Sequence, residues 1–206
     1  MNQALLREVL TLTVEHLWLV SIAILIAVSI AVPLGVFLAR RASVRGWALG
    51  FTNIVQTIPS LALFGFLLPV PFIGGIGKRT AIVALVLYAL LPVLRNTIVG
   101  MLGVDRGVRE SAIAMGMTSR QLLWQVELPL AAAAIMAGVR IATVSTIGTA
   151  TIAAAIGGGG LGTFIFRGIA MVDSKTVLAG AVPAAIIALF ADGGLGWLER
   201  KLSSWS

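Results

Sequence analysis

Cysteine is absent from the 206-residue sequence, histidine and tyrosine occur once each, and only 11% of residues are charged. Without cysteine there is no disulfide framework to staple a small fold. The charged fraction is about half of the roughly 25% usual in soluble domains, while 59% of residues are hydrophobic and the mean hydropathy is +1.04. A water-soluble fold of this length has no interior large enough for so much apolar surface, and disorder requires low hydrophobicity. The solvent these figures demand is lipid. The net charge of +7 then bears on topology rather than on nucleic-acid binding, because Lys and Arg accumulate on the cytoplasmic side of bacterial membrane proteins.

A hydrocarbon core about 30 Å thick is crossed by about 20 apolar helical residues. Residues 17–39 carry no charge and are followed by Arg40, Arg41 and Arg45. That run is too long for a signal peptide, and the arginines behind it read as a stop-transfer anchor. A second span is expected over 49–68 with a kink at Pro59, after which Pro69, Pro71, Gly74, Gly75 and Gly77 turn the chain. A third covers 80–99, a fourth 129–156 and a fifth 176–197, with the polar loop 105–128 between the third and fourth and a tail over 198–206. The first sixteen residues place Leu5, Leu6, Val9, Leu10 and Leu12 at helical spacing, which predicts a separate helix over 1–16 lying on the outer surface, with His16 at the interface. The predicted fold class is an all-α integral membrane protein with five transmembrane helices.

Five crossings put the termini on opposite sides. If Arg40, Arg41 and Arg45 are inside, so are Arg106, Arg109, Arg120, Arg200 and Lys201, leaving Arg7, Lys78, Arg79, Arg167 and Lys175 outside. That bias predicts the N-terminus outside and the C-terminus inside.

Ionisable residues within lipid are costly and mark function or a buried partner. Arg140 lies eleven residues beyond Pro129, about 16 Å along a helix. Snorkelling is difficult from there, so either an ion pair or carbonyl clamp, or a place in a water-filled pathway, is required. Arg95 and Asp192 lie closer to the expected cytoplasmic ends, where snorkelling accounts for them. No Glu or His is expected deep in a span, so a proton relay is not indicated. The fourth span is rich in Ala and Gly, which let helices approach closely, either within one subunit or at a pathway or subunit interface. Its Thr143, Ser145, Thr146, Thr149 and Thr151 need a second chain to enclose a polar cavity, which predicts a dimer of such chains. Arg140, Ser145, Thr146 and Thr149, with Pro59 and Tyr88, are the candidate pathway or gate residues.

Gly74-Gly75-Ile76-Gly77-Lys78-Arg79 fails as a phosphate loop, since Phe72 and Arg79 stand where Gly and Ser or Thr are needed. Gly157, Gly159 and Gly162 match a dinucleotide spacing without the strand-helix-strand setting, and read as a helix breaker. No metal cluster, nucleophile triad or ATP site is present in the pattern, so the chain is not expected to be an enzyme, and any ATP-driven work belongs to another polypeptide.

Within the loop, Ile113, Met117, Leu122 and Leu123 recur among Arg109, Glu110, Arg120 and Gln121, and Gly116 with Thr118-Ser119 splits the segment into helix, bend and helix. Met115, Met117, Leu122, Leu123 and Trp124 are too apolar for a solvated loop and predict docking against another protein. Here the sequence resembles the signature of ABC-importer permeases. Glu110-Ser111-Ala112, Gly116 and Val126-Glu127-Leu128-Pro129 fall at the signature's spacing, with Ser111 for Ala and Val126 for Ile as small departures. Gln56-Thr57-Ile58-Pro59-Ser60, Tyr88-Ala89-Leu90-Leu91-Pro92, Arg95-Asn96-Thr97, Ile147-Gly148-Thr149-Ala150-Thr151 and the 157–162 glycine run resemble the osmoprotectant branch, permeases for glycine betaine, carnitine and choline.

The resemblance implies a type I, five-span fold in the bacterial cytoplasmic (inner) membrane. It implies a cytoplasmic coupling helix seated on an ATP-binding subunit, and alternating access by two permease chains, identical or homologous. Glu110, Ser111, Ala112, Met115, Gly116 and Met117 would shape that helix, and Leu128-Pro129 would set the start of the fourth span. Two ATP-binding subunits would hold ATP and Mg, no cofactor would reside in this chain, and a separate extracytoplasmic protein would deliver solute. A permease for amino acids such as methionine is the alternative within the class, and an ATP-independent secondary carrier the alternative outside it.

Overall fold

In the computed structural model, residues 3–203 are described, and the ends of the segments expected over 1–16 and 198–206 that fall outside this range, residues 1–2 and 204–206, lie outside the described residues. Among the described residues, four helices are long and apolar enough to cross a bilayer singly: Leu5–Ala39, Lys78–Gly103, Ser119–Ile156 and Ser174–Ser203. A bent pair, Ala42–Thr57 and Ser60–Leu67, completes five crossings if it counts as one span.

Helix α1 is Gln3–Ala39, without a break at residue 16, so the separate surface helix expected over the first sixteen residues is instead the first part of a long rod. No glycine interrupts this segment before Gly35. The charges that suggest a helix end are accommodated by tertiary partners. Glu15 pairs with Lys78 and its Oε2 accepts the Gly160 amide at 2.9 Å. His16 is not interfacial but fully buried, its Nε2 3.2 Å from the Ile147 carbonyl.

Helices α2 (Ala42–Thr57) and α3 (Ser60–Leu67) meet at 101°. The expected kink at Pro59 is a full break. Ile58 is extended (φ −70°, ψ 127°), as a residue before proline prefers, and Pro59 caps α3. Tyr88 donates its hydroxyl to the Ile58 carbonyl, and Gln56 Nε2 donates to the Tyr88 carbonyl at 2.9 Å, so α4 (Lys78–Gly103) grips the break.

After α4 come α5 (Arg106–Ala114) and α6 (Ser119–Leu122). A π-helical turn, Leu123–Glu127, joins α6 to α7 (Leu128–Ile152), which tightens into a 3₁₀ turn at Ala153–Ile156. The glycine run then breaks the chain as expected, with Gly157, Gly159 and Gly160 at φ of 74°, 80° and 73°. Between the fourth and fifth expected spans it leads into a short helix, α8 (Gly162–Ala170), and then α9 (Ser174–Ser203). Asp173 starts α9 by accepting the Lys175 amide and the Thr176 hydroxyl, and these donors hold its carboxyl below the ordinary range.

Helix α7 lies at the centre, packed on α4 and α9. The helices fit because small residues face one another: at Gly138 an added Cβ would stand 2.8 Å from the Pro92 carbonyl, and at Gly100 one would stand 3.0 Å from the Ala131 carbonyl. Glu15 meets Lys78 at one end, and Gly35 lies against Thr97 further along, so α1 and α4 run in the same direction. Arg40 meets Glu127 at the far end and the Gly77 amide donates to the Ile156 carbonyl at the near one, so α7 runs opposite. The bundle thus has a glycine-rich end and a basic end, the latter carrying α5 and α6.

Candidate functional site

The segment between α4 and α7 is built from strong local signals. Asp105 caps α5, accepting the Val108 amide at 3.1 Å. Helix α5 ends in a Schellman turn: the Gly116 amide donates to the Ile113 carbonyl at 2.9 Å and the Met117 amide to the Ala112 carbonyl at 3.2 Å. Gly116 takes φ 84°, the left-handed conformation that closes such a turn. Thr118 and Gln121 then form a capping box for α6. Helix, bend and helix fall where the sequence placed them.

This arrangement sorts the side chains by face. Ala112 is buried, while Val108, Ile113 and Met115 project outward, Met115 at 73% exposure. Glu110 is exposed and pairs with Arg106 at 2.7 Å along the helix. Met117 is half-buried, and Leu128 and Pro129 open α7 directly after the π turn. Three apolar side chains thus stand exposed on a short capped helix, a patch of the kind that marks interaction sites.

Sequence reasoning missed the residue that ties this segment to the bundle. Glu127, at 5% exposure, is buried where the π turn ends. Its Oε2 is 2.5 Å from Arg40 Nη2 and its Oε1 is 3.2 Å from Arg109 Nε. Arg109 also donates to the Met101 carbonyl in the last turn of α4. The only sequence signal was an acid set in an apolar stretch.

The candidate pathway residues fall into separate groups. Arg140 and Ser145 line one cavity of about 320 Å³ with Ala137, Ile141, Val144, Asp192 and Glu199. Arg140 forms a forked pair with Asp192, Nε to Oδ1 at 2.7 Å and Nη2 to Oδ2 at 2.9 Å, and reaches Glu199 at 3.2 Å. Asp192 therefore does not snorkel alone; it is the partner that Arg140 required. Thr143, Thr149 and Thr151 donate to carbonyls of their own helix, at 2.8, 2.9 and 2.7 Å, so they need no second chain for satisfaction. Thr146 faces inward at 1% exposure rather than lining the cavity. Tyr88 bonds Ile58, beside Pro59, at the α2–α3 break, and neither Pro59 nor Tyr88 is among the residues lining this cavity.

The three-charge cluster gives an ordered pair of outcomes. Arg140→Gln strands two carboxylates beside each other, whereas Asp192→Asn leaves Arg140 its Glu199 partner. The arginine variant is expected to show a several-fold drop in monodisperse permease recovered in mild detergent, and the aspartate variant a smaller one. Equal recoveries would remove the structural role of the pair.

Residues 31–204 match the family described as binding-protein-dependent transport system inner membrane component. The choline transport system permease protein OpuBB of Bacillus subtilis is 46% identical over 196 residues, 95% of this chain and 89% of that protein. The carnitine transport permease protein OpuCB of Listeria monocytogenes is 43% identical, covering 96% of this chain and 89% of that one. The osmoprotectant import permease protein OsmW of Salmonella typhimurium is 42% identical, covering 93% and 88%. Among solved structures, a chain of the inward-facing MetNI methionine ABC transporter superposes with a TM-score of 0.87 at 22% identity, covering 98% of this chain and 99% of that one. That last likeness concerns the fold alone.

Proposed function

Because the chain belongs to the family of inner membrane components of binding-protein-dependent transport systems, we propose that it is the permease subunit of an ATP-driven importer of osmoprotectants: glycine betaine, carnitine, choline or related quaternary ammonium compounds. The observation that carries this reading is the α5–Gly116–α6 segment, an apolar ridge held out from the basic end of the bundle and continuous with a membrane helix. Relatives above 40% identity named for choline, carnitine and osmoprotectant transport support the substrate class.

In this reading the basic end is cytoplasmic, the N-terminus is outside and the C-terminus inside. Two ATP-binding subunits, holding ATP and Mg, seat the α5–α6 segment of two permease chains. Glu110, Ser111, Ala112, Met115, Gly116 and Met117 shape the contact, and Leu128 and Pro129 pass its motion into α7. Closure of the ATP-binding subunits draws the two segments together and shifts the permease pair between inward- and outward-open states. Arg140, Ser145 and the cavity they line are the part of the pathway this chain contributes. An extracytoplasmic protein delivers solute to the glycine-rich end.

The test is uptake of radiolabelled choline, glycine betaine and carnitine into liposomes containing the permease with its ATP-binding subunits and solute-binding protein, with methionine as the control. Uptake of at least one quaternary ammonium compound is expected only with ATP, and methionine uptake is expected to be absent. Uptake that persists without ATP would point to a secondary carrier, and methionine uptake to the amino-acid branch.

A further inference from the structure

The carboxylate of Glu127 joins parts of the chain that sequence keeps far apart. A π turn adds one residue to an α-helix and so rotates the face beyond it by about 100°. Within Leu123–Glu127, Trp124 and Gln125 remain exposed while Glu127 turns inward. There, each oxygen meets a different cation, Oε2 that of Arg40 just past α1 and Oε1 that of Arg109 on α5. Arg109 in turn holds the Met101 carbonyl of α4. Four elements thus meet at one buried acid: the ends of α1 and α4, the α5 segment, and the α6–α7 rod.

Helix α5 needs such a tie because it hangs between two joints. Val104 ahead of it is extended (ψ 126°) and Gly116 behind it is left-handed. With the Glu127 carboxylate gone, Arg109 keeps the Met101 carbonyl alone, and α5 is held less firmly between its two joints while α1 and α4 stay where they are. A buried carboxylate is costly and gives little net stability even when paired, so the arrangement is better suited to holding geometry than to adding stability.

We infer that Glu127 is a positioning residue for energy coupling: it makes α5 move as one body with α1 and α4, so that displacement of the docking ridge reaches spans other than α7. This rests on the reading of the chain as an ATP-driven permease. Glu127 touches neither solute nor nucleotide; it acts through Arg109 and Arg40.

The experiment measures ATP hydrolysed and choline imported by the complete complex in liposomes. In Glu127→Gln, which keeps shape and loses charge, assembly with the ATP-binding subunits is expected to be preserved. ATP consumed per choline is expected to rise roughly tenfold or more, the factor that one charge-assisted hydrogen bond carries. Glu127→Asp should restore part of the ratio, and Arg40→Gln, which leaves the Arg109 contact, should raise it less. A Glu127→Gln complex with the wild-type ratio overturns the inference, as does one that loses assembly while its assembled fraction keeps that ratio. If the wild-type complex shows no ATP-dependent uptake, the transport reading falls first. The tie is then judged by spin labels at Ala114→Cys and Arg41→Cys in the cysteine-free permease. One narrow distance, broadened in Glu127→Gln, supports it, and an unchanged distribution overturns it.

Discussion

Gly116→Val permease is expected to reach the membrane in normal amount and to lose nearly all ATP-dependent uptake. An added Cβ meets no atom within 4 Å, so crowding is not the cause. The cause is backbone conformation: Gly116 sits at φ 84°, and a left-handed residue with a side chain costs about 1–2 kcal/mol, with a β-branched one at the upper end. Relief comes by unwinding the Schellman turn, which changes where α5 points without disturbing the spans. At about 2 kcal/mol the docked geometry becomes roughly 30-fold rarer. ATP hydrolysis by the complex should fall less than uptake, since the ATP-binding subunits remain intact. The ranking separates conformation from bulk: Asn tolerates the left-handed region and should keep most uptake, Ala less, Val least. Equal uptake across the three would remove Gly116 from coupling.

Gly162→Ala is expected to be the most damaging small substitution to the fold itself. The added carbon would lie 1.8 Å from the Thr151 carbonyl oxygen and 2.7 Å from its carbon, and backbone cannot step aside as a flexible side chain does. Overpacking of this kind costs about 3 kcal/mol, which lowers Tm by roughly 10 °C in a chain of this size. Helix α8 would separate from the end of α7, taking with it the loop that Glu15 holds at Gly160. Gly46→Ala, where nothing lies within 4 Å, is the matched control and should melt at or above the wild-type temperature. Thermal melts of the detergent-solubilised permease decide it: equal melting of the two variants would mean the close approach carries no stability.

What the sequence made legible, and what it hid, divides by the distance between partners. The α5–bend–α6 segment was readable because Gly116, Thr118 and Gln121 act on neighbours three or four residues away. Spans three, four and five were readable from apolar length interrupted by one ionisable residue each, Arg95, Arg140 and Asp192. The continuity of α1 was not, because Glu15 and His16 mark the limit of lipid in a one-dimensional reading, whereas Lys78, Ile147 and Gly160 supply their partners from far along the chain. Pro59 announced a bend, but its depth of 101° depends on Tyr88 taking the carbonyl the break exposes. Arg140 demanded a partner, and Asp192 was visible in the sequence, yet only the crossing of α7 and α9 pairs them. Glu127 was hidden in the same way, since Arg40 stands 87 residues away.

One dimension of the bundle has a mechanical consequence. From Ser119 to Ile156 the chain is a single helical rod of 38 residues, with the docking segment at one tip and the glycine-rich loops at the other. Such a rod is about 57 Å long, so a tilt of only about 5° carries the far tip through about 5 Å, close to one helical turn. In the proposed importer, a lever of that length would let a modest tug at the docking tip open or shut a passage at the other, with no need for the span itself to bend.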